Sequence, residues 1–296
     1  MSLVNDYDDI EHKVKAETCR HELFASVSIP FHEGYDRLAR TIANLTQQTY
    51  SKDLFEVVVV ADANYADAKL ITDEYKRKIN VKLVTLPHQT GFGPARSRNA
   101  GIYVAKGDVI VSLDSDMICP PNFLESHMRW FHKSNKIATI GLRKFVEASS
   151  IQPEDIIRDF RLVCLLPEIC SISNTVVSCR RDKRIPELKQ LKIHPHPGNC
   201  FHGGNVAYWR DDAIHIGLWD EDFNGNYGYE DIEFGQRLFQ KGTKLVYESG
   251  ATTYHQESNS VSAYEREKGM EVNRAKLYEL YPELARFRKD VLGVPL

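Results

Sequence analysis

The hydrophobic pattern of the first 120 residues changes period repeatedly. "FASVSIPFHE" is a β-rich run ending at Pro30, and "GYDRLARTIANLTQQ" then sets Leu38, Ile42 and Leu45 at helical spacing. Four consecutive valines in "FEVVVVAD" predict a strand buried on both faces that ends at Asp62. "YADAKLITDEYKRK" reads as a helix and "VKLVTLP" as a strand. "GPARSRNAGIYVAKG" reads as a helix with Pro94 near its start and Gly107 past its end. "DVIVSLDSD" is strand again. This rhythm predicts parallel strands joined by crossover helices. Ligands of such sheets sit outside the carboxyl ends of the strands, so Pro30, Asp62 and Asp114 can converge on one crevice.

Over roughly 144–198 the periodicity fades. "EDIIRDFRLVCLLPEI" is helical in pattern, but "SCRRDKRIPELKQLKIHPHPGN" is basic and proline-punctuated, which suits a mobile functional loop or lid, or a solvated insertion. "NGNYGYEDIEFGQRLFQKG" then places Ile232, Leu238 and Phe239 on a helix closed by Gly242, and "TKLVYESGATTYHQE" returns to strand. "SAYEREKGMEVNRAKLYELY" puts Met270, Asn273, Leu277, Leu280 and Tyr281 on one helical face, and Pro282 restarts a short helix. That terminal helix is expected to pack on the core; pairing in an oligomer or contact with a membrane surface are the other uses of such a face.

Composition narrows the field. With 296 residues and 42% hydrophobic content the chain can build one large α/β domain with extensions. A formal net charge of −3 argues against a nucleic-acid partner. No apolar run reaches the roughly 18 residues of a membrane span, and the polar N-terminus is unlike a secretory signal. Cys19, Cys119, Cys164, Cys170, Cys179 and Cys200 contain no CxxC pair. They read as free, mostly packed thiols of a reducing compartment, with the cytoplasm the expected address and no zinc site.

"VIVSLDSDMICP" carries the sharpest chemistry, because an ionised pair of carboxylates at the end of an apolar strand needs something to neutralise it. A helix cap or turn accounts for one Asp but hardly both. A general acid/base pair is disfavoured, since alternate positions of an extended strand point to opposite faces. A divalent cation held by Asp114 and Asp116, and also by substrate phosphates, fits hard oxygen ligands best.

"SVSIPFHEGYDRLARTIANL", "FEVVVVADAN", "GPARSRNAGIYVAKGDVIVSLDSDM" and "GGN…GLWDEDFNGNYGYEDIEFGQRLFQKG…TTYHQE" together resemble inverting family 2 glycosyltransferases. The second half resembles the galactosyltransferase-type region of chondroitin-polymerase modules and β-1,4-galactosyltransferases. The resemblance spans about residues 24–258 and implies a GT-A, Rossmann-like mixed sheet flanked by helices. The expected organisation is an N-terminal extension (1–22), a catalytic domain (23–258, with a nucleotide-binding half 23–118 and an acceptor and catalytic half 119–258) and a helical C-terminal extension (259–296).

Site residues follow from the resemblance. Pro30, His32 and Glu33 match the nucleotide-holding loop, and Asp62 matches the uracil-recognising acid, although relatives usually carry two acids where this chain has Ala61-Asp62. Arg98 matches the element near base and diphosphate. Asp114 and Asp116 match the metal motif, with His255 as the later ligand whose nitrogen favours Mn2+ over Mg2+. The metal would stabilise the departing nucleoside diphosphate as a Lewis acid. Asp231 is the implied general base and Glu230 a partner of donor or acceptor hydroxyls. Gly203, Gly204 and Asn205 match a segment where backbone approaches the donor sugar. Trp219 is either a stacking platform for an acceptor ring or a packed core tryptophan. Where relatives commonly read Trp-Gly-Gly-Glu-Asp, this chain has Tyr227-Gly228-Tyr229-Glu230-Asp231, so an aromatic reshapes the sugar pocket.

The implied reaction is transfer of a hexose or N-acetylhexosamine, galactose or N-acetylgalactosamine first, from a UDP-sugar to a hydroxyl of a glycan or glycoconjugate. Room for one catalytic set implies single-sugar transfer. A sugar nucleotidyltransferase would want an early glycine-rich phosphate loop, and "SIPFHEGYD" offers none. A catalytically silent glycan-binding protein would not need Asp114, Asp116, Asp231 and His255 together.

Overall fold

The computed structural model describes residues 4–16, 22–89, 91, 93–173, 176–256 and 263–294, the side chains of 171–173, 176–178 and 263–266 excepted. After helix α1 (Asp8–Ala16), strand and helix alternate as the periodicity predicts. They run β1 (Ala25–Phe31), α2 (Tyr35–Leu45), β2 (Phe55–Ala61), α3 (Tyr65–Tyr75), β3 (Val81–Thr85), α4 (Pro94–Val104) and β4 (Val109–Leu113). These four strands are parallel, with β1 between β2 and β4. Every residue of β2 and β4 is buried, because helices cover both faces of the sheet. Leu38, Ile42 and Leu45 are fully buried on α2, the face their spacing predicts.

The second half continues with β5 (Met117–Ile118), α5 (Phe123–Phe131), β6 (Ile137–Ile140), β7 (Arg143–Val146), α6 (Pro153–Arg158) and α7 (Arg161–Cys164). It then runs through the hairpin β8 (Cys170–Ser173) and β9 (Val176–Cys179), α8 (Ile185–Leu188), β10 (Asn205–Trp209), α9 (Arg210–His215) and α10 (Glu230–Gln240). Strands β11 (Lys244–Tyr247) and β12 (Thr253–Gln256) and helices α11 (Ala263–Leu280) and α12 (Pro282–Asp290) complete it. The main sheet has the order β11-β6-β10-β4-β1-β2-β3 and is mixed, because β10 runs antiparallel to β4 and β6. Strands β5, β12 and β7 form a separate small sheet beside the carboxyl end of β4. It is this small sheet that closes the site.

Three expectations need correction. The helical pattern over 154–169 is broken into α6 and α7, since Asp159 is extended (φ −156°, ψ 103°). The basic stretch after residue 180 is largely anchored. Asp182, Arg184, Leu188, Leu191 and His194 are buried, and Arg184 grips Asp182 at 2.6 Å while donating to the carbonyls of Gly141 (3.1 Å) and Cys200 (2.9 Å). Its arginine points inward, which a count of charges reads as solvation. The six cysteines are not all free: Cys170 and Cys179 stand directly opposite in the β8–β9 hairpin and form a disulfide. Cys19, Asn174 and Thr175 lie outside the described residues.

The C-terminal helices pack on the core. Leu277 and Leu284 are fully buried against Phe223, Tyr229 and Ile232, and Asn273 is buried with them. Leu280, placed on the same face by the sequence, is 50% exposed instead, because the contacting stripe runs through 270, 273 and 277. No helix among the described residues is long and apolar enough to cross a membrane.

Candidate active site

Three parallel strands end at one rim. Phe31 and Ala61 are paired in register, so His32 and Asp62 emerge side by side, and Asp114 follows directly after β4. His32 Nδ1 lies 2.9 Å from Asp62 Oδ1. His88, which the motif reading missed, sits with its Nδ1 3.2 Å from the Asp62 carbonyl and its ring 5.9 Å from that of His32. Pro30 lies within β1 rather than in the loop after it, and Glu33 stands 4.0 Å from Arg37 at the rim.

Past Leu113 the backbone leaves the strand for a turn, with the Met117 N–H donating back to the Asp114 carbonyl at 3.3 Å. The alternation that sends neighbouring strand residues to opposite faces therefore does not apply to Asp114 and Asp116. The Asp116 carbonyl accepts from the Gln256 N–H (2.9 Å) and Met117 pairs with His255, which brings the His255 Nε2 to 3.5 Å from Asp116 Oδ2. Phe145 packs on the His255 ring at 5.2 Å. Burial, and next the charge of Asp114, raise the proton affinity of Asp116, which His255 opposes. Asp116 Oδ1 is buried without a hydrogen-bond partner. A lone buried carboxylate oxygen, a second carboxylate two residues away and an adjacent imidazole form an oxygen-and-nitrogen donor set that fits a divalent cation such as manganese.

Arg98, on α4, joins this corner to the next. Its guanidinium donates to Asp114 Oδ1 (3.1 Å) and Glu230 Oε1 (2.9 Å), and lies 4.7 Å over the Trp219 ring. Asp114 also donates its N–H to the Gly204 carbonyl at 3.1 Å. At Gly204 a Cβ would stand 2.1 Å from Asp114 Oδ2, so only glycine leaves that carboxylate its place. Glu230 and Asp231 open helix α10, where negative charge is favoured. Burial and the neighbouring Asp231 push the Glu230 carboxyl up to about 7 against the pull of Arg98. Asp231 is also raised by burial, while Arg98 and the N–H groups of Ile232 (2.8 Å) and Gly203 (3.4 Å) pull it down.

Two assigned residues serve otherwise. Trp219 is 1% exposed and stacked flat on Phe234 at 4.2 Å, so it is a core tryptophan that supports Arg98 from behind. Asn205 is buried, its amide donating to the Leu142 (3.0 Å) and Ala251 (2.8 Å) carbonyls and its oxygen facing His127 at 3.2 Å. It ties the two sheets together rather than facing a sugar. Arg143 and His202 went unnoticed in sequence. Arg143 donates to His202 Nδ1 at 2.9 Å, and its charge acts on both Asp114 and Asp231. Burial, then Arg184 and Arg143, keep His202 neutral. The adjacency of His202 to Gly203-Gly204 is the one local signal that points to it.

Elsewhere, Glu187, His194 and Cys200 bring ligand-type atoms within 4.8 Å of one another. Hydrogen bonding decides against a metal there. His194 Nδ1 accepts from the His196 N–H (2.9 Å), so the ring proton sits on Nε2 and is donated to Glu187 at 2.9 Å. Burial also pushes the Cys200 thiol far up, away from the thiolate that binds metals.

A mixed sheet whose parallel strands end at paired carboxylates, facing a helix that opens on two more, is the architecture of nucleotide-sugar transferases of the GT-A type. The sequence profile described as Glycosyl transferase family 2 matches residues 26–217. The chain belongs to this family. It is 30% identical over 294 residues to the chondroitin synthase of Pasteurella multocida (strain Pm70), covering 96% of this chain and 30% of that protein. It is 29% identical to the chondroitin synthase of Escherichia coli, covering 92% and 40%. The chain thus spans well under half the length of these relatives. Among solved structures, a mannosyltransferase from Pyrobaculum calidifontis in complex with GDP-Man and Mn2+ superposes with a TM-score of 0.60 at 16% identity, over 90% of this chain and 69% of that one. GalNAc-T7 with UDP, GalNAc and Mn2+ gives 0.59 at 22% identity, over 90% and 54%. Both share the GT-A fold.

Proposed function

We propose that the chain is a metal-dependent, inverting glycosyltransferase that moves a hexose or N-acetylhexosamine, galactose or N-acetylgalactosamine first, from a UDP-sugar to a glycan hydroxyl. One observation carries the reading: Arg98 links Asp114 of the metal-type corner to Glu230 beside Asp231, so one buried cation couples a donor side to an acceptor side. Asp114, Asp116 and His255 would hold a divalent metal, which when bound would supply Lewis-acid stabilisation of the leaving diphosphate. His32 and Asp62 receive the base. Asp231, whose proton affinity burial raises, takes the proton of the acceptor hydroxyl as that oxygen bonds to the anomeric carbon and the bond to the diphosphate oxygen breaks. Glu230, fixed by Arg98, orients a sugar hydroxyl.

Titration calorimetry of UDP into the protein, with and without manganese, tests the donor half, with Asp116→Ala as the variant. Metal-dependent binding that disappears in D116A supports it; absence of UDP binding under every condition overturns it. Asp231→Asn should keep UDP binding and lose transfer by about 10²–10⁴-fold, the usual scale for a general base.

A further inference from the structure

The turn that precedes the catalytic pair is held by a helix outside the sheet. Gly225 (φ +91°), Gly228 (φ +75°) and Tyr229 (φ +73°) all adopt left-handed backbone just before Glu230. Tyr229 is the helix N-cap and makes no side-chain cap bond. A non-glycine residue in this conformation is strained and persists only when its surroundings fix it. One buried side chain spans this turn. The Asn273 amide nitrogen, on α11, donates to the carbonyls of Phe223 (3.0 Å) and Gly228 (2.7 Å), the two ends of the turn. One helical turn earlier, the backbone at Gly269 passes so close that a Cβ there would stand 2.9 Å from the Tyr227 nitrogen. From α12, the Arg288 guanidinium covers the Tyr229 ring at 5.2 Å. Tyr281, between the two helices, donates to Glu233 Oε1 at 3.1 Å.

We infer that Asn273 is a positioning residue for Glu230 and Asp231, and that the C-terminal helix pair is a working part of the active site. Asn273 touches neither carboxylate. Its amide closes the loop from Phe223 to Gly228 and so sets where α10 begins and how its first residues face Arg98. The inference rests on the proposed function for its kinetic readout. It also has a readout that does not, because hydrogen exchange of the turn amides is measurable without substrate.

The test uses the full chain with Asn273→Leu, which is close in size and has no group that can donate, and Asn273→Ala. Three quantities are followed: exchange of the amides of 224–231, UDP affinity with manganese, and transfer kinetics. The expected result is faster exchange confined to that turn, UDP affinity within about twofold, and kcat lowered about 10–100-fold, the scale of a misplacement of order 1 Å at a reacting group. Unchanged exchange, or faster exchange with unchanged kcat, overturns the inference. So does a parallel loss of UDP affinity and kcat, which marks Asn273 as merely structural. If the unsubstituted chain neither binds UDP nor transfers sugar, the proposed function fails, and the exchange result still decides whether Asn273 holds the turn.

Discussion

Arg98 is the residue whose removal should be most informative, because its worth depends on pH in a way the geometry dictates. Its side chain and that of Glu230 are each 6% exposed, and the two lie 2.9 Å apart. The Glu230 carboxyl sits at about 7, above its ordinary 4.5, through burial and the charge of Asp231. The folded chain therefore holds a proton that the unfolded chain releases, and the stability tied to Glu230 declines as pH climbs from 4.5 to about 7. Arg98 limits that decline. Arg98→Met removes the pull that keeps Glu230 ionisable, so its proton affinity rises further. At pH 8 the buried carboxyl must then either stay charged beside Asp231 without its partner or take up a proton. Deleting one partner of a buried pair costs about 3–5 kcal/mol. At pH 5 Glu230 is neutral in either protein. The loss is then confined to the hydrogen bonds to Asp114 and to the neutral Glu230 carboxyl and the contact with Trp219, together about 2 kcal/mol. Urea unfolding of both proteins at pH 5 and pH 8 measures the difference. The penalty should be larger at pH 8 by about 1–3 kcal/mol, the gap between the two costs. An equal penalty at both values, or a larger one at pH 5, would mean that Glu230 does not depend on Arg98.

Two further outcomes follow from close packing around the same site. Gly204→Ala should displace the Asp114 carboxylate, which a new Cβ would meet at 2.1 Å. On the proposed role of Asp114 in holding a metal, calorimetry should show UDP–manganese affinity reduced about 10–100-fold, the scale for disturbing a metal ligand's support, with little change in melting temperature. Trp219→Ala should cost about 3–5 kcal/mol in urea unfolding, as for other large-to-small core changes. A stable W219A protein whose only defect is a raised acceptor KM would restore the role of stacking platform.

How much of the site was legible in the sequence depended on how local each signal is. Asp62 and Asp114 could be placed because strand ends announce themselves: an apolar run stops and a polar residue follows, and parallel register then aligns the ends. The first strand instead runs one residue past the expected Pro30, and His32 was implied by the family resemblance alone. The β4 run and the Glu230–Asp231 helix start are local in the same sense. Asn205 and Trp219 defeat such reading, because an amide that satisfies buried carbonyls and one that faces a sugar have the same letter, and so have a core indole and a platform. Only long-range partners separate them, here His127 and Ala251 in one case and Phe234 in the other. The 170–200 stretch fails for a related reason. Its charges look solvated in sequence, yet Arg184 and Asp182 neutralise each other inside, and the Cys170–Cys179 pair depends on hairpin register rather than on spacing. Asn273 is the instructive intermediate. The helical stripe of α11 includes it among apolar neighbours, where a lone polar residue must find partners once buried. Sequence could therefore have raised the question of what Asn273 bonds. It could not have answered it, since Phe223 and Gly228 lie 50 and 45 residues away. That separation is also why the turn from Phe223 to Gly228 and the terminal helix should respond together in hydrogen exchange, although no motif joins them.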